Sequence, residues 1–340
     1  MGVVDVNIQG QSAIFCLSGS PFQAMCMIEA IKAYDIKDYK VMLCLSNNEL
    51  PRMHQLAALL NKYNITFEIE SIDFRITKIE RIRAMLPTRK KYKLAFIGDC
   101  NNELLIFKAF RYISDGGTMV YLDDGIATIQ FFNGLCQLSN KLRHYYNVIC
   151  KIRDINFDKY FYTIYHDLGD GKHITLANDF NYFASLMRGK QATKKVLLLG
   201  TCTNDYCRME NINPEVFLGE LRNLMSELKC QYPGEEIVYV PHGRETYPEP
   251  KQYCEELGIE FCPTSISVEM MVLDASYRPK AVYGYTSSAL YNLNLLLPDS
   301  DVCNVSFTGN TPGNDRIEIT SSYYEKHGIR RLIKPLTNNN

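Results

Sequence analysis

Three observations place this chain in the α/β class, as two Rossmann-like halves with a cleft between them. Short apolar runs alternate with stretches of helical spacing from Ser12 to Ile113. The alternation restarts at Lys195 and continues to Val305. Four polar motifs, Ser18-Gly19-Ser20-Pro21-Phe22-Gln23, Asp123-Asp124-Gly125, His242-Gly243-Arg244-Glu245 and Ser287-Ser288, each follow a run that reads as a strand. Strands alternating with helices of this length imply parallel sheets covered on both faces. Ligands bind such sheets outside the carboxyl ends of the strands.

The first half is expected to open with a buried strand at 12–17, then a helix at 22–33 with Met25, Ile28 and Ile31 at helical spacing. A strand at 39–45 precedes a helix at 51–63, with Pro51 in its first turn. Strands at 66–69, 93–97 and 118–122 alternate with helices at 76–85 and 102–113. Residues 125–192 are less regular and aromatic. They are expected to form a hairpin or helices over the first half, then a linker ending in Arg188-Gly189-Lys190-Gln191. The second half reads as strands at 195–199, 236–240, 259–262, 281–285 and 301–305, with helices at 215–229, 251–257, 267–275 and 287–295. No internal repeat is visible, and the domains are expected at 1–190 and 191–340.

At 340 residues the chain exceeds one ordinary core and fits two domains. Its 46% hydrophobic and 22% charged residues are those of a soluble globular protein. A net charge of −1 argues against a dedicated nucleic-acid binder. No apolar run approaches the roughly 20 residues that span a bilayer. Residues 1–11 lack the basic start and apolar stretch of a signal peptide. Among the 12 cysteines there is no CxxC, and Cys202 and Cys207 lie off zinc-ligand spacing. Cys16, Cys26, Cys44, Cys150 and Cys303 sit in apolar stretches, as reduced thiols in the cytosol would.

Charge is uneven. Arg75, Lys78, Arg81, Arg83, Arg89, Lys90, Lys91 and Lys93 face Glu80 alone. A second stretch mixes Lys141, Arg143, Lys151, Arg153 and Lys159 with Tyr145, Tyr146 and Phe157. Two readings fit: a solvated helix face plus a loop, or a surface that meets anionic lipid or glycan.

Each motif has a structural explanation beside a chemical one. Asp123-Asp124-Gly125 between 118–122 and 126–132 is a hairpin signal. It can equally hold a base, Asp124, with Gly125 allowing close backbone approach and Asp123 raising the pKa of Asp124 by repulsion. His242 after Pro241 is a structural or exposed histidine, or an imidazolium that neutralises or protonates a leaving phosphate. Ser287 and Ser288 first of all cap a helix; the same geometry binds an anion. Gly19 and Gly200 would let backbone approach a sugar or phosphate, although the GxGxxG and Walker patterns are absent. Glu269 is either a capping-box or helix-dipole partner of Ser265 or Ser267, or a carboxylate gripping a ribose diol.

Taken in order, these motifs resemble those of the bacterial sialyltransferases: glycosyltransferase families 52 and 38 and the alpha-2,8-polysialyltransferase-like proteins. Their pattern is an acidic pair before glycine, a His-Pro motif and a late Ser or Ser-Ser, in a GT-B fold of two Rossmann-like domains facing across a cleft. The similarity spans about Ser12 to Val305 and includes the opening Phe15-Cys16-Leu17-Ser18-Gly19-Ser20-Pro21-Phe22-Gln23. The resemblance implies Asp124 as general base and His242 as acid or electrostatic partner of the CMP phosphate. It makes Ser287 and Ser288 the phosphate holders and Glu269 the ribose contact. One departure is Gly243, where the family has proline.

The expectation is a cytoplasmic, inverting glycosyltransferase that needs no metal or other cofactor and transfers sialic acid from CMP-sialic acid to a surface glycan such as lipopolysaccharide or capsule. Its partners would be the CMP-sugar, a lipid-linked acceptor glycan and the anionic inner face of the plasma membrane, with no nucleic acid. The alternatives are a GT-B enzyme acting on a UDP-sugar, as a transferase or 2-epimerase, and a non-catalytic nucleotide- or glycan-binding protein.

Overall fold

The computed structural model describes residues 8–45, 50–71, 88–135, 140–275, 277–308 and 315–335. The chain divides into two compact units, Met1–Tyr182 and Phe183–Asn340. The helix expected at 76–85, with Arg75, Lys78, Arg81 and Arg83, lies outside the described residues.

The first unit runs β1 (Ala13–Leu17), α1 (Pro21–Ala33), β2 (Tyr39–Leu45), α2 (Leu50–Lys62), β3 (Glu68–Ser71), β4 (Tyr92–Ile97), α3 (Glu103–Tyr112), β5 (Ile113–Leu122), α4 (Ile126–Phe132), α5 (Asn140–Arg153), β6 (Asn156–Thr163) and β7 (Ile174–Ala177). Its seven strands form one sheet in the order β3-β2-β1-β4-β5-β6-β7. Every pairing is parallel. β1 is buried along its whole length, as a strand covered on both faces must be. Pro21 starts α1, and residues 22–31 are buried all round. The one acid among them, Glu29, accepts the backbone N–H of Tyr182 at 3.1 Å.

Three expectations for this unit are corrected. Residues 126–132 form a helix, so Asp123-Asp124-Gly125 is a strand-to-helix turn and not a hairpin. The reason lies in β5, which pairs in parallel with β4 and β6 and leaves no place for an antiparallel return. The aromatic region also adds two strands, β6 and β7, to the sheet. Arg153 is not on a solvated face: it is buried, and its guanidinium donates to the carbonyls of Phe110 and Ile113 and to Asp115. Tyr146 is also buried, its ring 5.3–5.6 Å from those of Phe107, Phe110 and Phe157.

α6 (Asn181–Met187) straddles the division. The second unit then runs β8 (Gln191–Ala192), β9 (Lys195–Leu199), α7 (Thr203–Glu210), α8 (Pro214–Gln231), β10 (Glu236–Val240), α9 (Glu249–Leu257), β11 (Glu260–Phe261), α10 (Val268–Asp274), β12 (Tyr277–Arg278), β13 (Ala281–Tyr285), α11 (Ser288–Leu296), β14 (Asp301–Thr308), α12 (Asp315–Lys326) and β15 (Arg330–Pro335). Its main sheet has the order β11-β10-β9-β13-β14-β15, again with every pairing parallel. β8 and β12 form a separate two-stranded parallel sheet. Lys190 is no loose linker residue, because its ammonium donates to the carbonyls of Leu273 and Ala275 at the end of α10. Both units are therefore Rossmann-like α/β folds. In each, the carboxyl ends of the central strands share one edge.

Candidate functional site

In the first unit, β1 and β5 both flank β4, so their following turns meet across its end. Gln23, in the first turn of α1, reaches over that end and donates from Nε2 to Asp124 Oδ1 at 2.7 Å. Its Oε1 accepts the backbone N–H of Ser18 at 3.0 Å and the Ser18 hydroxyl at 2.9 Å. Gly98, just past β4, leaves the room for this crossing. Asp124 is half-buried, and its backbone N–H is held by Thr128 Oγ1 at 3.1 Å. Gly125 follows with φ +63°, a conformation glycine adopts without strain, and caps α4. Gly19 is buried in the β1–α1 turn.

The two carboxylates have opposite surroundings. Asp123 is fully buried and accepts the Thr163 hydroxyl at 2.6 Å and the Ile164 N–H at 2.7 Å. Burial pushes its pKa up to about 7 against the pull of those bonds, and the charge of Asp124 adds only the last contribution. Asp123 thus ties the end of β5 to the end of β6.

In the second unit, Gly200, His242 and Ser287 follow β9, β10 and β13, which are neighbours in the sheet. The spare volume at Gly200 is taken by Tyr239, since a Cβ there would stand 2.4 Å from the tyrosine oxygen. His242 accepts the Arg244 backbone N–H on Nδ1 at 3.2 Å. A backbone N–H can only donate, so the neutral ring carries its proton on Nε2. Gly243, between them, has open space where a Cβ would stand.

Glu245 holds this turn in place. Its Oε2 accepts the N–H and hydroxyl of Thr203 at 3.0 and 2.6 Å, at the start of α7. Its Oε1 accepts the N–H groups of Thr246 and Tyr247 at 2.7 and 2.9 Å. Arg244 pairs with Asp205 on α7 at 2.8 Å.

The Ser287 hydroxyl caps α11 through the Ala289 N–H at 3.3 Å, and its carbonyl accepts the Tyr324 hydroxyl at 2.9 Å. Thr286, just before, has φ +28°, a strained value for a β-branched residue. Asn304 on β14 pins it by accepting its N–H at 2.8 Å. Ser288 begins α11 and is half-buried.

Glu269 is not a capping-box partner. Ser267 caps α10 through Met270, while Glu269 is 5% exposed and accepts Asn292 Nδ2 on its Oε1 at 2.7 Å. One position separates the box from this geometry: Met270, not Glu269, is the third helical residue. Glu269 thus bridges α10 and α11.

The sequence reading did not single out Gln23 or Glu245, although both lie inside the quoted motifs. Neither carries a local signal, because the partners that give them their roles, Asp124 and Thr203, are about a hundred and about forty positions away. Among the described residues, no group of three or more His, Cys, Asp or Glu side chains is placed to hold a metal ion.

No family model matches the chain, and no curated protein matches it. Solved structures of similar fold include a sialyltransferase from Photobacterium damsela, 10% identical over 95% of this chain and 81% of that one, with a TM-score of 0.47. A UDP-GlcNAc 2-epimerase from Neisseria meningitidis is 12% identical over 93% and 90%, with a TM-score of 0.46. MurG from Acinetobacter baumannii is 7% identical over 97% and 87%, with a TM-score of 0.45. At such values each is a likeness and nothing more, so any function has to be argued from the residues of the two strand edges.

Proposed function

We propose that this chain is an inverting glycosyltransferase of the GT-B type that transfers sialic acid from CMP-sialic acid to a hydroxyl of a bacterial surface glycan. The observation that carries this reading is the half-buried Asp124 carboxylate, held at the carboxyl edge of a parallel sheet by Gln23 and placed beside a second, fully buried acid. A base at such an edge is where an acceptor hydroxyl would be bound.

In the proposed reaction Asp124 takes the proton of the acceptor hydroxyl as its oxygen bonds to the anomeric carbon of the donor sugar. The bond to the phosphate oxygen breaks and its electron pair leaves with CMP. Direct displacement inverts the anomeric centre, through an oxocarbenium-like transition state such as glycoside hydrolysis also passes. His242 donates from Nε2 to the leaving phosphate, its tautomer set by Arg244. Ser287, Ser288 and the start of α11 hold the same phosphate, with Thr286 strained to present them. Glu269 offers its second oxygen to the ribose. Gly200, expected to let backbone approach the donor, is instead packed by Tyr239. A CMP-sugar carries one phosphate, so these groups suffice for its charge and no metal is invoked.

A lipid-linked acceptor would bring the enzyme to the anionic inner face of the plasma membrane. In support, α5 exposes Val148, Lys151 and Ile152 on one side, Ile152 at 77%. Among the described residues, no helix is long and apolar enough to cross a membrane.

The same edge groups serve a UDP-sugar transferase or a 2-epimerase, and Gly243 in place of the family proline favours keeping that reading open. The test is CMP release from CMP-sialic acid with an acceptor array, alongside thermal shifts with CMP and UDP. Native-state binding raises the melting temperature. Stabilisation by CMP, with release lowered about 10²–10⁴-fold in Asp124→Ala, is expected. Stabilisation by UDP alone selects the second reading, and CMP binding without turnover selects a binding protein.

A further inference from the structure

Gln23 is fully buried, and all three of its side-chain hydrogen bonds run in one sense. The Ser18 N–H can only donate, so the amide oxygen must face it and the NH₂ must face Asp124. The amide cannot flip without setting its NH₂ against an N–H and its oxygen against a carboxylate. We propose that Gln23 is a positioning residue for Asp124: it fixes the orientation of that carboxylate and favours its charged, proton-accepting form. The proposal rests on the reading of Asp124 as base, yet its first test needs no substrate.

A hydrogen bond to the charged form of a carboxyl favours that form, and one from a buried amide does so in a medium of low dielectric. The bond also fixes Oδ1 as the acceptor that faces Gln23. A glutamine does this better than a lysine or arginine would. It supplies one directed donor without adding a full charge that would weaken the base.

Two variants separate positioning from mere packing. Gln23→Glu keeps an oxygen for both Ser18 donors but sets a carboxyl oxygen where Nε2 met Asp124. The two acids then share one proton. Gln23→Met keeps the volume and removes the donor. If Gln23 only fills space, Gln23→Met changes stability and leaves the titration of Asp124 where it was.

Carboxyl-carbon NMR of the full chain follows that titration directly. The midpoint of Asp124 is expected to move to higher pH in both variants, further in Gln23→Glu. An unmoved midpoint in either folded variant overturns the proposal, and Gln23→Glu retains the Ser18 bonds should Gln23→Met fail to fold. With CMP-sialic acid and an acceptor, the acidic limb of kcat/KM should move the same way, with kcat falling and KM held. A fall in kcat with an unmoved limb also overturns it. Failure of the base reading looks different: Asp124→Ala would keep its turnover while the NMR midpoint still responds to Gln23.

Discussion

Gln23 occupies the space that a side chain on Gly98 would need: an ideal Cβ there stands 2.2 Å from the Gln23 oxygen and 2.7 Å from its amide carbon. The glycine directly follows β4, and the glutamine crosses it to reach Asp124. Gly98→Ala should therefore displace Gln23 and break its bonds to Ser18 and Asp124. A flexible side chain can usually retreat from a methyl group, but this one is buried and bonded at both ends. A loss of about 1–3 kcal/mol in stability is expected by denaturant melts. An alanine variant as stable as the parent would show that the crossing can relax freely.

Asp123 makes stability depend on pH. Its folded pKa is pushed up to about 7, against 3.8 for the free group. Below about 3.8 both folded and unfolded chains hold the proton, so the group has no effect on the balance. Between there and about 7 the unfolded chain releases it first, and this group's contribution to stability falls as pH rises. Asp123→Asn should flatten that decline relative to the parent in chemical melts across the window. Parallel curves for the two proteins would mean the buried acid is already ionised in the fold.

Glu245 joins the His242 turn to the start of α7 by accepting from Thr203, Thr246 and Tyr247. Glu245→Ala leaves those donors without their acceptor and should cost about 1–3 kcal/mol. Nucleotide affinity, read by thermal shift with CMP, should weaken with it because His242 loses its support. Gly243→Ala, by contrast, adds a methyl group into open space and should leave both properties unchanged. Equal damage from the two variants would place the sensitivity in the turn's backbone rather than in Glu245.

The exposed face of α5 predicts binding to anionic vesicles. Ile152→Glu removes an apolar contact and adds a repelled charge, and Lys151→Glu reverses an attraction of about 1 kcal/mol per cation. Both should reduce co-sedimentation with phosphatidylserine-containing vesicles while leaving transfer to a soluble acceptor intact. Binding indifferent to both changes would remove α5 from the membrane reading.

Local pattern alone specified much of this fold. The strands at 39–45, 195–199, 236–240 and 281–285 coincide with β2, β9, β10 and β13, because each is an apolar run buried on both faces and bounded by turn residues. The helices that begin at a proline, α1 and α8, lie within a residue or two of the expected spans for the same kind of local reason. The placement of all four motifs at carboxyl ends of strands was legible too, since a strand's direction follows from chain order in a parallel sheet.

What remained hidden depended on residues far apart in the chain. A β-hairpin and a strand-to-helix turn share the sequence Asp-Asp-Gly, and it is the parallel pairing of β5 with β4 and β6 that separates them. Asp123 and Asp124 are chemically identical, and only the approach of Thr163 and Ile164 buries one while Gln23 grips the other. A sheet edge gathers side chains by strand order, which no window along the chain contains.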